Sequence, residues 1–173
     1  CYQLCRRGYE VTDLETGTKL NIDNKYIMSP KDLCTIEFMD KIIDAGVKVF
    51  KIEGRARSAE YVKKTAECYR RAADAVCEGR YTPELAASLK EELSEVFNRG
   101  FWDGYYQGAR LGEWSDVYGS HATRKKIYCG KITNWFDRIS VAEVLVESEA
   151  LRKGDDILII GETTGVIEQN VSE

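Results

Sequence analysis

The chain is poor in several residue types at once. Its 173 residues include one histidine, two prolines and two methionines. There is no H-E-x-x-H and no G-x-S-x-G, and His121 has no cysteine near it in sequence, so the familiar hydrolase signatures are missing. No apolar run approaches the roughly 20 residues of a membrane helix. Neither sign of charge dominates: 25 Lys and Arg against 29 Asp and Glu leave a net charge of -4. A broad basic footprint for nucleic acid is thereby excluded, while a local basic patch is not. Six scattered cysteines are too few for a secreted disulfide scaffold of this size. No signal peptide opens the chain, and the expectation is a cytoplasmic protein with reduced thiols. Cys1 in place of a methionine is what a processed or excised chain is expected to show.

What is present reads as two regions. Glu10–Asp13 and Thr18–Ile22 alternate around Glu15-Thr16-Gly17, which predicts a short hairpin. Tyr26-Ile27-Met28 predicts a strand ended by Pro30. Ile36, Met39, Ile42 and Ile43 recur at helical spacing up to Gly46. Val47–Ile52 alternates and predicts a second strand. Ser58 can cap a helix with Tyr61, Thr65, Cys68, Ala72 and Val76 on one face. Strand, helix, strand, helix over 26–79 predicts a parallel αβ repeat. Thr82-Pro83 opens a further helix with Leu85, Leu89, Leu93, Val96 and Phe97 on its apolar face. An aromatic, glycine-rich connector follows over 101–108, then an irregular linker.

From Lys126 the period changes to two. Residues 127–132, 138–144 and 156–160 predict strands of a small β-barrel. The expected organisation is an α/β segment with helical connector over 1–108, a linker over 109–125 and a β-domain over 126–173.

In parallel αβ sheets, ligands meet the carboxyl ends of the strands. Asp32, Leu33 and Cys34 follow the first expected strand, and Glu53, Gly54 and Arg55 follow the second. If the two strands are neighbours, both segments face one ligand. Glu53 could act as a general base or orient a partner. Arg55 and Arg57 are planar forks suited to carboxylate or phosphate. Asp32 could bind substrate or cap the helix after it. Cys1 and Cys5 form a C-x3-C pair, a weak signal alone because cluster and zinc spacings more often use two intervening residues. Cys68, Cys77 and Cys129 read as structural thiols. Phe101, Trp102, Tyr105 and Tyr106 could stack on bases or fix a helix end against the core.

Three segments taken together carry a resemblance: Cys1-Tyr2-Gln3-Leu4-Cys5-Arg6-Arg7-Gly8-Tyr9, Ser29-Pro30-Lys31-Asp32-Leu33-Cys34 and Lys51-Ile52-Glu53-Gly54-Arg55-Ala56-Arg57-Ser58-Ala59-Glu60-Tyr61. Their order resembles the C-terminal part of the collagenase-like peptidase family U32, over nearly the whole chain. The resemblance implies the last two βα units of a (β/α)8-type barrel, and a full barrel of that kind needs about 250 residues. Gly130-Lys131-Ile132 followed by Leu151-Arg152-Lys153-Gly154-Asp155-Asp156-Ile157 is similar to the small barrels of translation factors and of this family's C-terminal domain. It also implies a 4Fe-4S cluster on four cysteines, with Cys1 and Cys34 matching two of them and the other two lying upstream of this chain. Two ligands cannot close such a cluster, so this chain alone is expected to be inactive. Relatives hydroxylate a base in tRNA or rRNA with prephenate as co-metabolite, or act in oxygen-independent ubiquinone synthesis. Prephenate is a dicarboxylate, for which Arg55 or Arg57 would be an anchor. The family name implies the alternative of a metal-dependent, collagenase-like protease. A third expectation is a β-domain that only docks RNA or protein.

Overall fold

The computed structural model describes residues 4, 7–22, 29–116 and 119–172. It divides into two compact units, Cys1–Thr123 and Arg124–Glu173. The expected strand at Tyr26–Met28 lies outside the described residues.

The first unit opens with the hairpin that alternation predicts: β1 (Tyr9–Thr12) runs antiparallel to β2 (Lys19–Ile22). Asp13 holds the turn, because its Oδ1 accepts from the Glu15 and Thr16 amides at 3.0 and 2.6 Å. A two-residue strand, β3 (Asp32–Leu33), follows. A single 3-10 turn over Ile36–Phe38 then leads into α1 (Met39–Asp44), which stops before Gly46 at φ +90°. α2 spans Ala59–Cys77. α3 (Pro83–Ser94) starts as the sequence predicts, with Pro83 in the first turn and the Thr82 hydroxyl accepting from the Leu85 amide at 3.2 Å. β4 (Phe101–Trp102) then lies parallel to β3, with Asp32 opposite Phe101 and Leu33 opposite Trp102.

The helical spacing decides the core. Thr65, Cys68, Ala72 and Ala75 recur every three or four residues on α2, and Ala86, Leu89 and Leu93 do so on α3. These stripes close over Cys34, Ile36 and Met39, with Tyr69, Tyr81, Leu85 and Phe101 packed at the margin. Full burial of a side chain such as Leu89 is worth about 1.5–3 kcal/mol. Polar ties run around the rim. Arg71 meets Glu92 at 2.7 Å, Lys64 meets Glu95 at 3.2 Å, and the Tyr81 hydroxyl donates to the Ile36 carbonyl at 2.6 Å. The expected linker is irregular, and it folds back onto this unit. Trp114 bridges to Pro30, the Ser115 amide donates to the Ser29 carbonyl at 3.0 Å, and the Thr123 amide donates to the Ser94 carbonyl at 2.9 Å.

Two expectations fail here. Val47–Ile52 makes no strand: it runs unpaired and exposed, with Val49 at 85%. Alternation sorts side chains onto two faces, but a strand also needs a partner backbone about 4.8 Å away, and no described segment supplies one. The parallel sheet of a (β/α)8-type barrel is likewise absent among the described residues. The parallel pairing present is the two-residue β3–β4 ladder, and its second strand comes from the aromatic connector.

The second unit is two hairpins. β5 (Gly130–Phe136) pairs with β6 (Val141–Val146), with a register shift between Ile132 and Asn134. β7 (Asp156–Gly161) pairs with β8 (Gly165–Asn170). The first of these strands starts at Gly130 instead of Ile127, and β8 is a strand the alternation did not reveal. The expected small barrel is not closed, because each sheet has two strands and no ladder joins the hairpins among the described residues. No described residue of this unit is buried.

Candidate functional site: an aspartate held by two arginines beside a buried thiol

Asp32 organises the site. The Gly100 carbonyl accepts from its amide at 2.8 Å, which fixes the backbone at the start of β3. Its carboxylate then accepts from the Arg99 amide at 3.0 Å, from Arg99 Nε and Nη2 at 3.0 and 2.7 Å, and from Arg57 Nη2 at 3.1 Å. All three side chains are mostly buried: Asp32 is 13% exposed, Arg57 16% and Arg99 25%. Arg57 is further held by rings, with its guanidinium 4.2 Å from the Phe97 centroid and 5.2 Å from that of Tyr61. Arg99 Nη1 reaches the buried Ser29 hydroxyl at 3.4 Å. Two guanidinium groups share one carboxylate, so the cluster carries net positive charge.

Two residues on, Cys34 lies in the core at 5% exposure. Burial raises its pKa and so favours the thiol, while the Ile36 amide and the Tyr69 hydroxyl oppose that shift. The Tyr69 hydroxyl lies 3.9 Å from the sulfur and accepts from the Thr35 amide at 2.9 Å. Burial pushes the Tyr69 pKa up as well, with the neighbouring sulfur adding to it. A cavity of about 30 Å³ adjoins these groups, with Asp32, Cys34, Tyr61, Thr65 and Tyr69 on its wall and Leu33, Leu93 and Phe101 completing it. It is large enough for a water. The Thr65 hydroxyl oxygen is buried without a hydrogen-bond partner at this cavity, and a bound water would satisfy it.

The Glu53–Arg57 segment forms a turn instead of a strand end. The Arg57 amide donates to the Gly54 carbonyl at 3.0 Å, and Ala56 takes φ +56°. This left-handed residue lets Arg57 point inward while Arg55 points out. Glu53 Oε1 accepts from the Arg55 amide at 2.7 Å. Both Glu53 and Arg55 are exposed, and the Arg55 guanidinium has no partner among the described residues. The structure thus brings Asp32, Arg57 and Cys34 together, and leaves Glu53 and Arg55 on the outer side of the turn.

Two contributors escaped the sequence reading. Arg99 sits between the end of α3 and Gly100, a place that suggested only a helix stop. Tyr69 had a usable signal: Tyr61, Thr65 and Tyr69 are spaced four apart on α2, and all three line the cavity. His121 bonds to Asp116 at 3.2 Å, away from any described thiol.

A metal cluster finds an incomplete donor set. Cys1 and Cys5 lie outside the described residues, and among the described ones no three His, Cys, Asp or Glu side chains converge. Cys34 is a single buried thiol whose raised pKa must be overcome before it could bind metal. These residues by themselves do not fit a four-thiolate cluster.

The profile of Peptidase family U32 matches residues 1–116. The chain belongs to this family. It is 58% identical over its whole length to a protein of Porphyromonas gingivalis named collagenase, covering 42% of that protein. It is 29% identical over 166 residues to tRNA hydroxylation protein P1 of Bacillus subtilis, covering 93% of this chain and 39% of that one. Over 119 residues it is 35% identical to a 23S rRNA 5-hydroxycytidine synthase of Escherichia coli, covering 65% of this chain and 18% of that one. The chain therefore spans less than half the length of these curated relatives. No solved structure matches it. No helix among the described residues is long and apolar enough to cross a membrane.

Proposed function

We propose that this chain is part of a family U32 enzyme that hydroxylates a base in tRNA or rRNA, with the arginine cluster gripping an anionic group. The observation that supports this reading is the charge of the cluster: Arg57 and Arg99 share the single carboxylate of Asp32, while Arg55 stands exposed on the outer side of the same turn, its guanidinium without a partner among the described residues. A carboxylate co-substrate such as prephenate, or an RNA phosphate, is the chemistry that such forks recognise. Arg55 is the free fork, and Arg57 and Asp32 set the turn that presents it. Glu53, exposed and engaged through Oε1 with the Arg55 amide, is the carboxylate of this turn that can act as a general base or orient a partner. The 4Fe-4S cluster implied by the resemblance would act as an electron relay or a Lewis acid in the full-length protein, with Cys34 and Cys1 as two of its ligands and two further thiolates from outside this chain. An RNA substrate implies work in the cytoplasm.

The test uses a strain lacking the gene, complemented with the full-length protein, and nucleoside mass spectrometry of its tRNA and rRNA. A hydroxylated nucleoside lost on deletion, restored by the natural protein and not by Arg55→Ala or Cys34→Ala, is the expected result. An unchanged nucleoside profile on deletion would overturn the reading. Iron and acid-labile sulfide in protein purified without oxygen give an independent readout: about four of each per chain, lost in Cys34→Ala.

The 58% identity to a protein named collagenase favours a second reading, a peptidase. That reading would be metal-dependent, and among the described residues no three His, Cys, Asp or Glu side chains converge to hold a metal ion. Cleavage of gelatin by the purified full-length protein, sensitive to chelators, would establish it.

A further inference from the structure

The β3–β4 ladder has two faces, because successive side chains of a strand point to opposite sides. Asp32 and Phe101 line the cavity beside Cys34, and Leu33 touches its wall as well. Leu33 and Trp102 line a second, open cleft of about 390 Å³ together with Gly104, Tyr105 and Tyr106. That volume falls in the range of small-molecule sites, and its walls are almost wholly apolar and aromatic. We infer that this cleft receives an unpaired nucleobase of single-stranded RNA, stacked on Tyr105 and Tyr106. The inference rests on the RNA reading above and assigns residues to it.

Three observations support it. First, the walls are held in place before any ligand arrives. Trp102 meets Tyr105 edge-on with centroids 5.2 Å apart, and Tyr106 lies 6.0 Å from the buried Phe38 ring. Yet Tyr105 is 62% exposed and Tyr106 67%, so both residues remain open to solvent. Second, glycine keeps the cleft open. Gly104 adopts φ +66°, and a Cβ there would lie 2.8 Å from Leu33 Cδ1. Third, a cation meets the segment next to the cleft: Lys41 Nζ lies 3.5 Å from Oε1 of Gln107, the residue after Tyr106, and has no carboxylate partner among the described residues. One such cation suits a single phosphate of the strand, and Asp103 in the same turn disfavours a longer phosphate track. The contact is therefore mainly base stacking, which tolerates any sequence because every base has a π-face.

The experiment titrates the chain with octa-uridylate RNA and follows tryptophan fluorescence, with Trp102 in the cleft as reporter. Tyr105→Ala and Tyr106→Ala should each weaken binding about 5- to 150-fold, the range expected for losing one stacked base. Tyr106→Phe should bind like the natural chain. The slope of log K against log salt should be about -0.7, that of one phosphate on a single strand. Circular dichroism confirms that the variants are folded. No quenching, or alanine variants that bind as tightly as the natural chain, would overturn the inference. So would a proline-rich, collagen-like peptide that binds in a tyrosine-dependent manner where the RNA does not. Binding independent of the tyrosines, beside a nucleoside lost on gene deletion, overturns the cleft alone. Tyrosine-dependent binding with unchanged nucleosides overturns the hydroxylation reading and leaves the cleft standing.

Discussion

The two units use hydrophobic residues in opposite ways. In the first, short stripes on α2 and α3 face each other and enclose Cys34, Ile36 and Met39. In the second, strands with more apolar residues per length bury none of them: Ile132, Trp135, Val141, Leu145 and Ile160 are all about half exposed. The difference lies in the second layer. A helix stripe is covered once another helix crosses it, and one loop can bring that helix. A two-stranded hairpin has two faces and two edges, and is marginal until further strands or a helix cover one face. Apolar content therefore says less about stability than whether each apolar face meets another.

The sharpest way to break this contrast is a matched pair of truncations. Leu89→Ala should destabilise the first unit by about 3 kcal/mol, because it leaves a cavity at a fully buried position. Ile139→Ala, at a position 68% exposed in a turn of the second unit, should change stability by less than about 0.5 kcal/mol. Urea titration of both variants measures the pair, and equal effects would refute the contrast. Asp32→Asn should come next, at about 2 kcal/mol, since it leaves Arg57 and Arg99 short of their shared counter-charge in a mostly buried place. The same titration reads it, and an unchanged midpoint would mean that the arginines find other partners.

A pH effect should follow, on the order of 1–2 kcal/mol. The Cys68 pKa is pushed up to about 11 from 9.0 by burial, with Glu92 adding to it. A raised folded-state pKa stabilises the fold below the unfolded value, and that stability is lost as pH climbs from about 9 to 11. Cys68→Ala should flatten the stability profile in that window, whatever its effect at neutral pH. The smallest effect is a gain. Ala56 stands at φ +56°, where a Cβ is unfavourable, so Ala56→Gly should stabilise the first unit by up to about 1 kcal/mol. Thermal melting checks it, and a loss would mean that the turn relaxes in solution.

Legibility in the sequence followed the range of the interaction. The first hairpin, the Thr82 cap and the faces of α2 and α3 are local, set by residues within four positions of one another. Strand pairing is not local. Val47–Ile52 has the better alternation and no partner, while Asp32–Leu33 pairs across some seventy residues of chain with a segment that read as a connector. The site shows the same division. Asp32, Arg57 and Cys34 were picked out from their positions around expected turns. Arg99 was not, because nothing in Asn98-Arg99-Gly100 signals which carboxylate it will meet.

The sequence by itself determined where α2 and α3 start, which residues face inward along them, and that this chain carries the three segments of its family. It did not determine the end of α3, which stops at Ser94 and leaves Val96 and Phe97 outside the helix, or the cap of α2, where the Ser58 hydroxyl meets Glu60 and no backbone amide. Only the tertiary structure decided that Arg57 and Arg99 converge on one aspartate, that Cys34 sits against Tyr69, and that a small cavity beside Cys34 and an aromatic cleft both adjoin β3 and β4. The physical reason is the same throughout. Propensity, caps and periodicity act over one or two turns of chain, whereas ion pairs, ladders and cavities depend on which distant segments the burial of apolar surface brings together.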